Sequence, residues 1–299
     1  MQSIPYQAPA SVEEAVALLG GDADARVLAG GTDLLVQVRG GVRRPSAWVD
    51  VKRIPDLMRL EVGASEVRIG AAVPCAEIFE NAELKRRLPG VAEAADLIGS
   101  TQIQGRATLG GNLCNASPAA DTTPALMAAG ARCVIAGPEG QREIPVEELA
   151  TAPGQTTLRS GELLVAVKIP NPGPRSSDAY LRLIPRSEMD IAVVGAGVAL
   201  SLDDDGTCRS ARVAIGAVAP TALLVPEAAA ALVGSRVDEA TLANVAEAAS
   251  AAARPSMTHE GLSPTASRWW VYLRNAPRPA PRSAPRRVEP WRGCTSRPP

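Results

Sequence analysis

Histidine is nearly missing from this sequence of 299 residues: the one present is His259, close to the C-terminus. A Ser–His or Cys–His nucleophilic centre in the body of the chain is thereby set aside, because such a centre needs an imidazole as its base. Aromatic residues are scarce at 3%, so the core must be built from Ala, Val, Leu and Ile. Lysine is limited to Lys52, Lys85 and Lys168, and arginine carries nearly all the positive charge. Five cysteines (Cys75, Cys114, Cys133, Cys208 and Cys294) lie far apart. No CxxC spacing points to an iron–sulfur or zinc site, and reduced thiols acting as small buried side chains are expected. No apolar run approaches the ~20 residues that cross a bilayer. The N-terminal MQSIPYQAPAS lacks the charged start and apolar stretch of a signal peptide, so a cytoplasmic location without a membrane span is expected. The net charge of -1 gives no general attraction to nucleic acid or acidic membranes.

What remains is the balance of an ordinary globular chain, 46% hydrophobic and 21% charged, long enough for about two domains. Ser11-Val12-Glu13-Glu14 fits a capping box opening a helix that Gly20-Gly21 would close. Arg26–Ala29 reads as a short buried strand, a glycine loop follows, and a helix starts at Leu34, with another strand at Trp48–Val51. Residues 57–73 alternate as a hairpin around Gly63-Ala64-Ser65. Helices are expected at 75–88 and 90–99, then a second glycine loop at 108–112, and a helix from Pro124 with Thr123 as its N-cap. Strands near 131–136 and 162–169 precede a linker, Asn171-Pro172-Gly173-Pro174. Beyond it, 191–202 and 207–218 form an apolar hairpin turning at Asp203–Gly206, followed by Ala-rich helices at 226–233 and 238–253. Residues 254–299 hold nine Pro and nine Arg, which predicts a disordered or frameshifted tail.

Chemistry concentrates in the two glycine loops, Ala29-Gly30-Gly31-Thr32-Asp33 and Thr108-Leu109-Gly110-Gly111-Asn112. Paired glycines let backbone approach a ligand and aim successive N–H groups at one point, as an anion requires. Thr32, Thr108 and Asn112 add side-chain donors. Asp33 and Asp121 repel phosphate and better suit helix caps or sugar hydroxyls. Gly195–Leu200 partly imitates a GxGxxG fingerprint but reads as one continuous strand. Glu147-Glu148 and Asp203–Asp205 read as solvated charge runs.

AGGTD at 29–33 and TLGGN at 108–112 resemble the two FAD pyrophosphate loops of the flavoprotein subunits of molybdenum hydroxylases, the carbon monoxide dehydrogenase medium subunit and xanthine dehydrogenase flavin subunit among them. The resemblance runs from about residue 1 to about 253. It includes IGSTQI at 98–103, NLCNASPAADTTPAL at 112–126, GELLVAVKIP at 161–170 and RSEMDIAVV at 186–194. It implies an α+β fold: a two-subdomain, PCMH-like FAD-binding domain at 1–172 (subdomains about 1–54 and 55–172). A C-terminal antiparallel sheet with helices at 176–253 would follow. By position, Ala29 to Asp33 and Thr108 to Asn112 would hold the pyrophosphate and Asp121 the sugar-alcohol chain, while Ile98 and Leu164 would line the isoalloxazine ring. Arg182 falls where some relatives carry Lys near the flavin, Gln104-Gly105 stands where Arg-Asn is usual, and the family's terminal Arg-Gly-Ser and Tyr-Arg pattern fails near residue 255.

The implied function is electron transfer. A large molybdopterin subunit would oxidise the substrate, a small [2Fe–2S] subunit would relay electrons, and FAD on this chain would pass them to NAD+, oxygen or a quinone, in a dimer of heterotrimers. A stand-alone FAD oxidoreductase and a flavin-free assembly subunit are the alternatives; the intact loops oppose the second, and the shortage of histidine opposes the first.

Overall fold

The computed structural model of the chain describes residues 3–186 and 189–254. The expectations for the tail beyond residue 254, including His259 and a frameshift, lie outside the described residues. The N-terminal part is a small parallel sheet of β1 (Tyr6–Gln7), β2 (Arg26–Leu28) and β3 (Trp48–Asp50), with β3 in the middle. Two helices connect these strands, α1 (Val12–Gly21) and α2 (Leu34–Arg39). The Ser11 hydroxyl accepts from Glu14 N–H at 3.2 Å, and the Glu14 carboxylate accepts from Ala10 N–H at 2.9 Å, so the start of α1 is closed from both directions. Val12, Ala15, Val16 and Leu19 recur at helical spacing and are buried in one cluster with Val49 of β3. Each of the Val and Leu side chains contributes about 1.5–3 kcal/mol by leaving water, and an acid at Ala15 would open that cluster.

The second part is a five-stranded antiparallel sheet in the order β4-β5-β10-β6-β7. Its strands are β4 (Leu60–Val62), β5 (Glu66–Gly70), β6 (Arg132–Gly137), β7 (Gly140–Pro145) and β10 (Leu163–Pro170). A two-stranded hairpin, β8 (Ala150–Ala152) with β9 (Gln155–Thr156), leaves the chain between β7 and β10. The central β10 is buried on both faces from Leu163 to Val167, which is why it reads as an unbroken apolar run. Six helices lie between β5 and β6: α3 (Cys75–Glu80), α4 (Ala82–Arg87), α5 (Pro89–Asp96), α6 (Thr101–Gln104), α7 (Leu109–Asn115) and α8 (Thr122–Ala128).

Three expectations need correction here. The helix expected at 75–88 is broken at Asn81, whose side chain turns to accept from Leu84 N–H at 2.9 Å and caps a new helix. The second glycine loop is largely helical, for Gly110, Gly111 and Asn112 belong to α7, capped by Thr108. In α8 the cap position is Asp121 and Thr123 lies inside the helix. Pro124 is tolerated two positions deeper than expected because first-turn N–H groups have no intrahelical partner to lose.

The third part is an antiparallel sheet in chain order, β11 (Ser176–Leu183), β12 (Val194–Leu202), β13 (Cys208–Gly216) and β14 (Leu223–Leu224), packed against α9 (Pro226–Leu232) and α10 (Glu239–Ala252). Strand β11 escaped the sequence reading because alternate residues facing the rest of the molecule are polar. Asp178 accepts from Val91 N–H of α5 at 3.1 Å, and Tyr180 N–H donates to Glu93 at 3.0 Å. The Tyr180 hydroxyl and Arg182 reach Asp121 at 2.7 and 2.8 Å. Gly195–Leu200 lies within β12, and a Cβ at Gly197 would collide with the Pro124 carbonyl, so the glycine there admits α8 rather than a nucleotide. Among the described residues no helix is long and apolar enough to cross a membrane, and no cluster of three or more metal-binding side chains occurs.

Candidate functional site

The β2 strand runs directly into Ala29-Gly30-Gly31-Thr32-Asp33, which turns the chain into α2. Gly31 has φ +77, a left-handed conformation that glycine adopts without strain. Gly30 is pressed against the segment that leads into the second loop: a Cβ there would overlap the Arg106 carbonyl oxygen and lie 2.7 Å from its carbon. Behind the loop, Lys52 donates to the Ala29 carbonyl at 3.0 Å and stands 2.7 Å from Asp50, which also accepts from the Tyr6 hydroxyl. Burial alone would raise the Asp50 carboxyl, but the hydrogen bonds from Lys52 and Tyr6 outweigh it and hold the pKa below its usual value. The loop is therefore braced by an ionised pair that the sequence reading missed.

So braced, the loop leaves its own backbone unspent. None of the N–H groups of Gly30, Gly31, Thr32, Asp33 and Leu34 donates to a backbone acceptor among the described residues; the first such bond of this stretch runs from Leu35 to Gly31 at 3.1 Å. A run of consecutive free N–H groups at a turn is a nest for an anion. The second loop is built differently. Gly110 N–H donates to the Ala71 carbonyl at 3.0 Å, Gly111 N–H to the Thr108 hydroxyl at 3.1 Å and Asn112 N–H to the Thr108 carbonyl at 2.9 Å. A Cβ on Gly110 would lie 2.5 Å from Ala71, whereas one on Gly111 would meet only the Thr108 hydroxyl, at 2.8 Å.

Both loops line one cavity of about 540 Å³ that also includes Cys114, Asn115 and Leu164. The helices that carry them are tied together where the Gln37 side chain donates to Asn115 at 2.8 Å. Of the acids on the cavity wall, Asp22 is engaged by the Ser46 hydroxyl at 2.6 Å and Glu162 by Arg142 Nε and Nη2, each at 2.8 Å. Asp33 has no capping bond, and desolvation raises its carboxyl above the ordinary value. An acid in that setting suits a hydroxyl donor better than a phosphate.

Of the residues singled out from sequence, Ala29, Gly30, Gly31, Thr32, Asp33, Thr108, Gly110, Gly111 and Leu164 line this cavity. Leu109 is fully buried in the core beneath it, and Ile98 is partly buried against the same core. Asn112 accepts from the Thr122 hydroxyl at 2.6 Å. Asp121 and Arg182 form a buried pair at 2.8 Å on the β11 side of α8. Burial raises Asp121, and the Tyr180 hydroxyl and Arg182 partly offset it. Lys52, Asp50, Gln37 and Asn115 were not foreseen; Asn115 stood inside the quoted NLCNASP stretch, but the others carry no local signal.

A pocket lined by both glycine loops, with a row of free N–H groups, glycines where a side chain would collide, and beside them the Asp33 carboxylate, unpaired among the described residues, fits a dinucleotide, with the pyrophosphate at the nest. That defines a dinucleotide-binding protein of mixed helix and sheet. The FAD-binding domain in molybdopterin dehydrogenase matches residues 2–172, and the CO dehydrogenase flavoprotein C-terminal domain matches residues 179–265. The chain belongs to the FAD-binding subunits of the molybdenum hydroxylase family, and its cofactor is FAD.

It is 33% identical over 261 residues to the 6-hydroxypseudooxynicotine dehydrogenase complex subunit alpha of Paenarthrobacter nicotinovorans, covering 87% of this chain and 88% of that one. It is 33% identical over 252 residues to the carbon monoxide dehydrogenase medium chain of Hydrogenophaga pseudoflava, covering 84% and 87%. A chain of the cyanide-inactivated Cu,Mo-CO dehydrogenase crystal structure superposes with a TM-score of 0.86 at 32% identity, over 92% of this chain and 96% of that one.

Proposed function

We propose that this chain is the electron-transfer flavoprotein of a cytoplasmic molybdenum hydroxylase, working beside a small [2Fe–2S] subunit and a large molybdopterin subunit in a dimer of heterotrimers. When bound, FAD would supply the redox chemistry, linking single-electron transfer from the clusters to two-electron reduction of an external acceptor. The free N–H row from Gly30 to Leu34 is the observation that carries this reading, because consecutive N–H groups without a backbone acceptor at a glycine turn suit an anion. The protein's part is to bind, orient and shield. Ala29 to Asp33 and Thr108 to Asn112 grip the pyrophosphate, the first by open N–H groups and the second by the face that Gly111 leaves bare. Asp121, held by Tyr180 and Arg182, serves the sugar-alcohol chain, and Ile98, Leu164 and Arg182 face the ring. Residues 1–172 and 176–253 act as the flavin and C-terminal domains, with 254–299 an atypical tail.

The test is to titrate the purified chain with FAD and then purify it from its host under gentle conditions. One-to-one uptake, with co-purification of an iron–sulfur protein whose clusters reduce the flavin, is expected. A chain that takes up FAD but turns over a substrate alone with oxygen would replace the proposal by the stand-alone oxidoreductase. Co-purification with both partners and no flavin would replace it by the assembly subunit.

A further inference from the structure

Three arginines line the cofactor cavity, Arg26, Arg43 and Arg159. Arg26 doubles back on its own turn, donating to the Ala23 and Ala25 carbonyls at 2.8 Å. Arg159 stands 3.8 Å from Glu139. Arg43 is placed differently. It lies on the segment joining α2 to β3, and its side chain reaches across to donate to the Gly154 carbonyl at 3.3 Å.

Gly154, with φ +71, is the tip of the β8–β9 hairpin and itself lines the cavity. On its other side Gly154 N–H donates to the Ala116 carbonyl at 3.0 Å, and Ala116 is the left-handed residue that closes α7. The hairpin tip thus spans from the segment after the first glycine-loop helix to the end of the second. The first loop offers a pyrophosphate N–H groups but no cation, and its one charged side chain, Asp33, is acidic. A guanidinium that gives one N–H to Gly154 keeps others in a fixed fork for phosphate oxygens.

We propose that the β8–β9 hairpin is a strap across the cofactor cavity and that Arg43 is both its latch and the cationic counter-charge of the dinucleotide pyrophosphate. The inference rests on the cavity being the FAD site. Cofactor binding then fixes the guanidinium, which in turn fixes the strap, so that nucleotide affinity and order of the hairpin rise together.

Arg43→Gln, Arg43→Lys and, as a charge control on α2 outside the cavity lining, Arg39→Gln would be titrated with FAD by flavin fluorescence. Amide exchange of residues 150–156 would be followed with and without FAD. Arg43→Gln should weaken binding about tenfold or more, the loss of a charge-assisted hydrogen bond, and FAD should no longer slow exchange in the hairpin. Arg43→Lys should recover part of the affinity because it keeps the charge without the fork, and its melting temperature without FAD shows that the fold is intact. Arg39→Gln should bind as wild type does. If wild type binds FAD and Arg43→Gln binds it equally well, or Arg39→Gln loses as much, or FAD leaves hairpin exchange unchanged in wild type, the latch is wrong. If wild type itself takes up no FAD, the cofactor reading fails first, and this inference fails with it.

Discussion

The two glycine loops look like copies of one device, each a Gly-Gly pair flanked by Thr and a small polar residue, yet they use glycine for opposite ends. In the first loop the glycines serve the backbone: Gly31 takes the left-handed turn and Gly30 lets the loop seat against Arg106, leaving a file of N–H groups with no backbone partner among the described residues. In the second the N–H groups are engaged by Ala71 and Thr108, and the loop is the first turn of a helix. There Gly110 packs on Ala71, while Gly111 keeps a side chain out of the cavity. One loop donates and the other makes room, so equal substitutions should have unequal consequences.

The largest difference is expected from alanine at Gly30 and Gly111. Gly30→Ala would place a methyl group into the backbone of Arg106, and should cost about 3 kcal/mol or more of stability, at the upper end of overpacking effects. Gly111→Ala meets only a hydroxyl oxygen; the gain of about 1 kcal/mol in helix propensity offsets a disturbed cap, and stability should barely change. Thermal or urea unfolding of the flavin-free proteins decides this, and equal losses would mean that the loops are equivalent after all. Gly111→Asp sharpens the contrast. An acid in the first turn of α7 suits the helix dipole, so the free protein should hold its stability while FAD affinity falls by roughly a hundredfold or more through repulsion of the pyrophosphate. Normal flavin content in that variant would remove the second loop from the site.

The turn of the first loop from strand to helix was legible in the sequence because it is local: a strand, two glycines and a helix start within about ten residues. The second was misread as a loop because the groups that make it helical come from elsewhere, the Ala71 carbonyl above all. The same division holds through the molecule. Apolar runs such as Leu163–Val167 announced β10, whereas β11 was invisible, since Asp178, Tyr180 and Arg182 alternate inward against α5 and α8, and a polar inward face reads as no strand at all. Residues that brace the site rather than line it were also beyond reach. Lys52 and Asp50 are two apart in a sequence that gives no hint of the Ala29 carbonyl 23 residues earlier.

That brace offers a medium-sized test of the contrast, because it acts on the first loop alone. Lys52→Met keeps the aliphatic stem and removes the bond to Ala29, leaving Asp50, 5% exposed, with Tyr6 as its one remaining side-chain donor among the described residues. A buried carboxylate stripped of its cation should cost about 1–3 kcal/mol, and the loosened loop should bind FAD about tenfold more weakly. Double substitution of Asp50→Asn with Lys52→Met should restore much of the stability, since no charge is then stranded, without restoring the affinity. Recovery of both together would mean that the pair matters only to folding.

The smallest effect separates the two threonines. The Thr108 hydroxyl caps α7 by accepting from Gly111 N–H, so Thr108→Val should cost about 1 kcal/mol in the flavin-free protein. It also frees the Gly111 N–H to point at a ligand, so FAD affinity should fall only slightly. Thr32 faces the cavity beside N–H groups that have no internal use. Thr32→Val should therefore leave the free protein unchanged and weaken FAD severalfold through one lost hydrogen bond. The two valine variants, compared by melting with and without FAD, should move in opposite columns: one loses stability and keeps its cofactor, the other keeps stability and loses affinity. If both shift the same quantity, the division of labour between the loops does not exist.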